Sequence, residues 1–450
     1  MSSGRKRVIR RLESMRPLRA KVDQSYMDSV KAMQEGKPVA WCMVNWWVGD
    51  VILKAMDIVT VYPENYGAVC AAFGVAEKYL NLSDSDGIPT HMCGYSRNCL
   101  GYTIRMMKEL NGQIPPEAPL GGMAKPVLLL ASSTGCDPRY KWFQLLGRYM
   151  DTPIWTLDTP APAIIEHYLD EKYVNQCIRF LVKDLMEFVK FLEKLLGRKM
   201  DWAKLSKIVD ETIELHRIWF EINELRKAVP CPMHSRDFWS TMPPAYFLLG
   251  DLEDNIRLYE NLYKEVKYRV DNGIGAVPEE KYRLMFAELP PWHSLGFFED
   301  LAEKGWNFVI ESYGYHPPIP LSKDLLEKIE DPLERIARHF YQFSIGYVKK
   351  AAAMGLKCQG FSACYPIWAR DYKVDGAMLH PLISCRSATT QLYEIREILE
   401  KILKVPSLIV EGDIVDLGVF NPEDALRKAE AFEETMQHYK DERKKAGLNW

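Results

Sequence analysis

The chain has 450 residues, of which 47% are hydrophobic and 26% charged, with a formal net charge of −3. That length suggests two or three domains, and the composition is that of a globular protein with sizeable cores. The near-neutral charge and the lack of any basic run interleaved with aromatics speak against nucleic acid or an anionic membrane as the main partner.

The N-terminal run MSSGRKRVIRRLESMRP is basic but has no apolar h-region, so it is not a secretory signal; it reads as a solvated arm, with a docking patch as the alternative. The longest apolar runs, such as VLLLA, fall far short of the about 20 residues a membrane helix needs. A cytoplasmic location is expected, with the ten cysteines reduced rather than paired as disulfides.

The first zone, 1–165, alternates short apolar runs with helical stretches. PVAWCMV (38–44), DIVTVY (57–62), KPVLLLA (125–131) and TPIWTLD (152–158) have the length and branched content of buried parallel strands. The second zone, 166–275, is a helical connector. Val174, Ile178, Leu181, Leu185, Phe188, Leu192 and Leu195 make one apolar helix stripe, and Gly197 is its stop. A second helix is expected from Asp201 to before Pro230, and a third from near Pro243 to about Arg269. The third zone, 276–450, alternates again: YRLMFAE (282–288), WNFVIES (306–312), VDGAMLH (374–380) and VPSLIVE (405–411) read as strands. Helices are expected around 321–353, 389–403 and 422–446. The predicted fold class is α/β, with two Rossmann-like, flavodoxin-like parallel-sheet lobes joined by the helical segment.

Several motifs are missing. No phosphate-loop GxxxxGK[ST], no GxGxxG after a strand, no GxSxG, no HExxH and no CxxC occurs. The chain therefore lacks the signatures of a P-loop ATPase, a dinucleotide enzyme and a zinc ribbon. Among the cysteines, three lie in polar loops rather than in core patterns. Cys136 follows the strand ending near Ala131, Cys385 follows the strand VDGAMLH, and Cys93 sits in PTHMCGYSRNCLG. Ligands in open α/β sheets bind beyond the carboxyl ends of strands. Arg97, Arg139 and Arg386 lie close to these thiols in sequence and would favour thiolate. The three are far apart in the chain, however, and on spacing alone buried thiols scattered through two cores are the better account.

These segments resemble the family that unites 2-hydroxyacyl-CoA dehydratases with class I benzoyl-CoA reductases. The matching residues are Cys93-Gly94-Tyr95-Ser96-Arg97 with Leu100-Gly101, Cys136-Asp137 with Lys141-Trp142, and Asp375-Gly376 with His380-Pro381 and Ser384-Cys385-Arg386. Val405-Pro406-Ser407-Leu408 with Glu411-Gly412-Asp413 completes the set. Gly94 stands where the family usually has Ser. The run Trp41 to Asp50 and the following YPENYGAVCAAFG are similar to the reductase branch, in particular its larger core subunit. Val48-Gly49-Asp50 departs from a Pro-x-Glu pattern usual in dehydratases.

The resemblance implies a 4Fe-4S cluster between the lobes, held by Cys93, Cys136 and Cys385, with Cys99, Cys358 and Cys364 as competitors. It implies a heterodimer with a smaller homologous subunit, a separate ATP-hydrolysing iron–sulfur activator and an acyl-CoA substrate. The implied reaction is reduction of benzoyl-CoA, or a substituted benzoyl-CoA, by two electrons and two protons to a cyclohexadiene-carbonyl-CoA. Dehydration of an (R)-2-hydroxyacyl-CoA and a purely electron-relaying role are the alternatives. Arg97, His380 and Arg386 are expected around the cluster. Trp46 and Trp47 are candidates to stack on a ring, or core packing. Asn45 and Asp50 are candidates for hydrogen bonding to substrate or proton relay, or caps of a helix start. His316 is a candidate proton donor, or a structural histidine. Glu411 and Asp413 are expected to cap the next helix.

Overall fold

The computed structural model describes residues 7–133, 135, 136, 138–162, 164–312, 316–358, 360–448 and 450. Asp137 of the family match and residues 313–315 before His316 lie outside them. All eight predicted strands form: β1 (Val39–Cys42), β2 (Val59–Val61), β3 (Leu128–Ser132), β4 (Ile154–Leu157), β5 (Tyr282–Ala287), β6 (Trp306–Ser312), β7 (Gly376–Leu379) and β8 (Ser407–Ile409). They make two four-stranded sheets, ordered β2-β1-β3-β4 and β6-β5-β7-β8, with every pairing parallel. The same local order, 2-1-3-4, therefore occurs twice. In such a sheet the chain turns outward in opposite directions from the two central strands, leaving a crevice beyond their carboxyl ends. The crevices lie beyond β1 and β3 in one sheet and beyond β5 and β7 in the other.

Helices cover the sheets and bridge them. The stripe predicted from Val174 lies on Glu171–Leu196, which ends on Gly197 in the left-handed region at φ 66°. Trp202–Leu225, capped by Asp201, packs against both Asp50–Ala55 and Pro332–Ala353, so it touches both halves. The expected helix from Pro243 to Arg269 is instead two, Ser235–Tyr246 and Leu252–Asp271. Pro243 and Pro244 end the first rather than start the second. Leu248 and Gly250 then turn the chain at positive φ, and the Asp251 side chain caps the second helix.

The basic N-terminus is not a solvated arm over its described part. Ile9 and Leu12 are buried, the backbone amides of Val8 and Ile9 donate to Glu299 at 3.0 Å, and Arg11 pairs with Asp237. Two apolar anchors and two buried acidic partners outweigh the solvation of the run's arginines. Among the described residues no helix is long and apolar enough to cross a membrane.

Candidate active site

Four loops leave the carboxyl ends of β1, β3, β5 and β7 at the two crevices. The β1 loop carries Asn45, Trp46 and Trp47. Both tryptophans have positive φ, 53° and 59°. For bulky residues this costs on the order of 1–3 kcal/mol each and persists only when the surroundings impose it. Here they do. Asn45 donates to the Met43 carbonyl at 3.0 Å and to Asp50 at 3.1 Å, and accepts the Gly49 amide at 2.9 Å. Glu64 accepts the Val44 amide at 2.6 Å, while Arg139 donates to the Val44 carbonyl at 2.7 Å and to Glu64 at 2.9 Å. The same guanidinium lies 5.3 Å from the Trp46 ring. Trp47 packs on a buried histidine pair, His216 and His339, whose Nδ1 and Nε2 are 3.0 Å apart. Burial pulls the pKa of His216 down to about 4 and that of His339 well below its ordinary value, so Trp47 rests on neutral rings.

The β3 loop brings Cys136, whose pKa stands at about 11 because burial raises it more than the nearby Arg139 lowers it. Gly135, at φ 101°, precedes it, and a side chain there would come within 3.0 Å of Trp46. The β7 loop brings Cys385. Its base is fixed by His380, whose Nδ1 lies 2.6 Å from the Val410 carbonyl and whose ring packs between Phe286 and Phe420. Burial holds His380 neutral, with a pKa of about 4. Cys93 arrives from the first lobe as the residue before the helix Gly94–Ile104.

That helix start is clasped to the second lobe. The Gly94 amide donates to Ser384 at 3.0 Å, and the Ser384 hydroxyl donates to Asp413. A Cβ on Gly94 would lie 2.6 Å from Asp413, which gives the departure from the family's Ser a physical reason. Arg97 is buried and joins Asp84 of the first lobe to Asp416 of the second, at 2.6 and 3.1 Å. Asp413 does not cap the next helix; it accepts the amides of Val415 and Asp416 in its own turn, and Asn421 is the cap. Glu411 is exposed and is not that cap either.

Cys93, Cys136 and Cys385 line one cavity of about 130 Å³, together with Trp46, Glu64, Tyr95, Glu288 and Cys364. Burial pushes the Cys93 thiol well up, and Cys385 and Cys136 push it further. The three thiols also line a second cavity of about 170 Å³, with His91, Met92 and Arg386. They are thus shared between this cavity and the first, the inner chamber. Among the described residues no three His, Cys, Asp or Glu side chains converge closely enough to hold a single metal ion. In a cuboidal iron–sulfur cluster each thiolate binds its own iron, so the sulfurs stand further apart than ligands of one ion. An all-sulfur donor set spread round a cavity fits such a cluster.

A third cavity of about 100 Å³ shares Trp46 with the inner chamber and is walled by Trp47, Tyr168, Tyr246, His316, Phe340, Tyr341 and Phe343. His316 is buried there between Phe238 and Trp368, with Nε2 2.8 Å from the Glu311 carbonyl and 3.0 Å from its carboxylate. Glu311 is also paired with Arg226 at 2.6 Å.

A family profile described as 2-hydroxyglutaryl-CoA dehydratase, D-component, matches residues 45–436. The chain belongs to that family. Its relatives include the (R)-phenyllactyl-CoA dehydratase alpha subunit of Clostridium sporogenes, 23% identical over 96% of this chain and 98% of that one. The lactoyl-CoA dehydratase alpha subunit of Anaerotignum propionicum is 23% identical over 93% and 94%. One of the benzoyl-CoA reductase subunits of Thauera aromatica is 25% identical over 78% of each.

Within this dehydratase-family chain the structure gathers Trp46, Cys93, Cys136 and Cys385 in one chamber, and Trp46, Trp47 and His316 in the next. Asn45 and Asp50 line neither. They brace the tryptophan turn, and Asp50 faces a separate cavity with Lys54 and Thr60, its pKa raised to about 7 by burial. Sequence reasoning missed Glu64 and Glu288, and named Cys364 only as a competitor for the cluster. Glu288 was within reach of it, because it is the last residue of a predicted strand whose carboxyl end faces the crevice.

Proposed function

We propose that the chain is the iron–sulfur subunit of an anaerobic acyl-CoA enzyme whose substrate carries an aromatic acyl group. Cys93, Cys136 and Cys385 would hold a 4Fe-4S cluster, which supplies single electrons at low potential when bound. The observation that carries the reading is that the aromatic chamber and the thiol chamber share Trp46 in their walls. A flat acyl group among those rings would have its thioester side toward the thiols. Trp46, held against Arg139 and Gly135, fixes one wall. The apolar walls exclude water, so charge arriving on the acyl group must be met by the chain's own proton donors.

Two-electron reduction of benzoyl-CoA or a substituted benzoyl-CoA is the first reading, supported by the tryptophan turn and the likeness to the Thauera aromatica benzoyl-CoA reductase chain. Dehydration of an aromatic (R)-2-hydroxyacyl-CoA is the second, favoured by the dehydratase alpha subunits whose likeness spans nearly the whole chain. Partners in either case are a homologous smaller subunit and a separate ATP-hydrolysing activator. The test is anaerobic turnover by the chain co-expressed with both partners, offered benzoyl-CoA and (R)-phenyllactyl-CoA in parallel. A diene product supports the first reading and an unsaturated phenylacyl-CoA the second. Turnover of neither defeats both.

A further inference from the structure

Glu288 is a residue for which nothing in the fold alone accounts. It follows β5, one of the two strands that flank the crevice of the second sheet. Its φ is 78°, a region that a side chain occupies only under constraint. It is 1% exposed, yet no cation pairs with it among the described residues. Its partners are neutral: Tyr365 donates at 2.9 Å and Gln391 at 2.7 Å. Both bonds fall on Oε1, so the other oxygen is left for whatever fills the cavity that Glu288 lines with Cys93, Cys136 and Cys385. A purely structural acceptor in this place could be an amide, without the cost of burying an ionisable group.

We propose that Glu288 is a proton donor of the inner chamber, delivering one of the protons that the acyl substrate takes up as it is reduced. The inference rests on the functional reading above. In the step, the carboxyl O–H bond breaks and a C–H bond forms on the acyl group. The two electrons come one at a time from the separate iron–sulfur activator, the first with the Glu288 proton and the second with the proton from solvent. The carboxylate left behind regains its proton from water before the next turnover, and the second ring proton comes from solvent. Strain at the backbone aims the side chain, and the Tyr365 and Gln391 bonds fix which oxygen is presented. Burial raises its pKa to about 8, which keeps the acid form populated at neutral pH. The titratable groups facing it are Tyr365 and Cys364 from the helix Cys364–Asp371, Cys385 from the β7 loop and, across the chamber, Cys93, Tyr95, Cys136 and the Glu64–Arg139 pair.

The test compares wild type with Glu288→Gln, which keeps an oxygen to accept from Tyr365, and with Tyr365→Phe. Infrared difference spectra of the partner-bound protein follow the carboxyl stretch through a pH titration. Turnover of benzoyl-CoA and (R)-phenyllactyl-CoA is measured on the same samples with activator. The expected result is a protonated-carboxyl band with a midpoint near pH 8, absent in Glu288→Gln and shifted upward in Tyr365→Phe. Turnover in Glu288→Gln should fall by at least about 100-fold with KM and iron content unchanged. Wild-type turnover of benzoyl-CoA with an unchanged Glu288→Gln rate overturns the inference alone, as does a carboxyl band that Glu288→Gln leaves in place. Turnover of (R)-phenyllactyl-CoA only, which takes up no net proton, overturns it too. Failure of wild type on both acyl-CoA compounds overturns the functional reading and the inference with it.

Discussion

Gly94 and Gly135 show how closely the loops of the site approach each other. Gly135 needs its positive φ, and a methyl group there presses on Trp46, itself held by Arg139. Gly135→Ala should destabilise the protein by about 1–3 kcal/mol, read from urea unfolding. Gly94→Ser, which restores the family's usual residue, meets an Asp413 pinned by two backbone amides and Ser384. It should lower stability by a similar amount unless Asp413→Ala is made with it. Glu288 adds a pH signature. Its folded pKa is raised, so the unfolded chain loses this proton first, and stability falls as pH rises from the ordinary carboxyl range toward about 8. Glu288→Gln should therefore be more stable than wild type by a margin that widens over that range, measured as a difference in unfolding free energy. The three site cysteines were legible through the motifs around them. The place of Glu288 at the end of a predicted strand was legible too, but not its setting, because its positive φ and its neutral partners arise only when β5 meets residues 365 and 391.

The elements were legible where burial imposes a simple pattern. The central strands of both sheets, β1, β3, β5 and β7, are buried along their length and read as continuous apolar runs, and the stripe on Glu171–Leu196 ends on the glycine that stops it. The reading failed where side chains decide the backbone. Pro243 and Pro244 close one helix instead of opening another, because Asp251 supplies a better start by accepting the Asp254 amide at 2.9 Å. Asp251→Ala should cost about 1 kcal/mol. The basic N-terminal run is held by Glu299 and Asp237, which lie more than two hundred residues away and leave no local trace. Where Trp202–Leu225 ends, Arg226 pairs with Glu311 of β6 in complete burial. Arg226→Met strands that carboxylate and should cost about 3–5 kcal/mol, with the loss visible as early melting.

At the scale of the molecule, two sheets of identical strand order face each other through loops that share one chamber. Arg97 between Asp84 and Asp416, Gly94 on Ser384, and the Trp292 indole donating to Tyr95 at 2.6 Å hold the halves together beside it. Spacing along the chain cannot reveal such a meeting; the repeated topology does, since it sends the loops after β1, β3, β5 and β7 to crevices of the same kind. The central claim is that Cys93, Cys136 and Cys385 hold one iron–sulfur cluster there. Iron and sulfide analysis with EPR on the anaerobically purified, partner-bound protein tests it, with wild type beside Cys93→Ala, Cys136→Ala, Cys385→Ala and, as a control in the same chamber, Cys364→Ala. The account predicts about four irons per chain in wild type and Cys364→Ala, lost in each of the other three. No iron in wild type, or full iron in all of the variants, would contradict it.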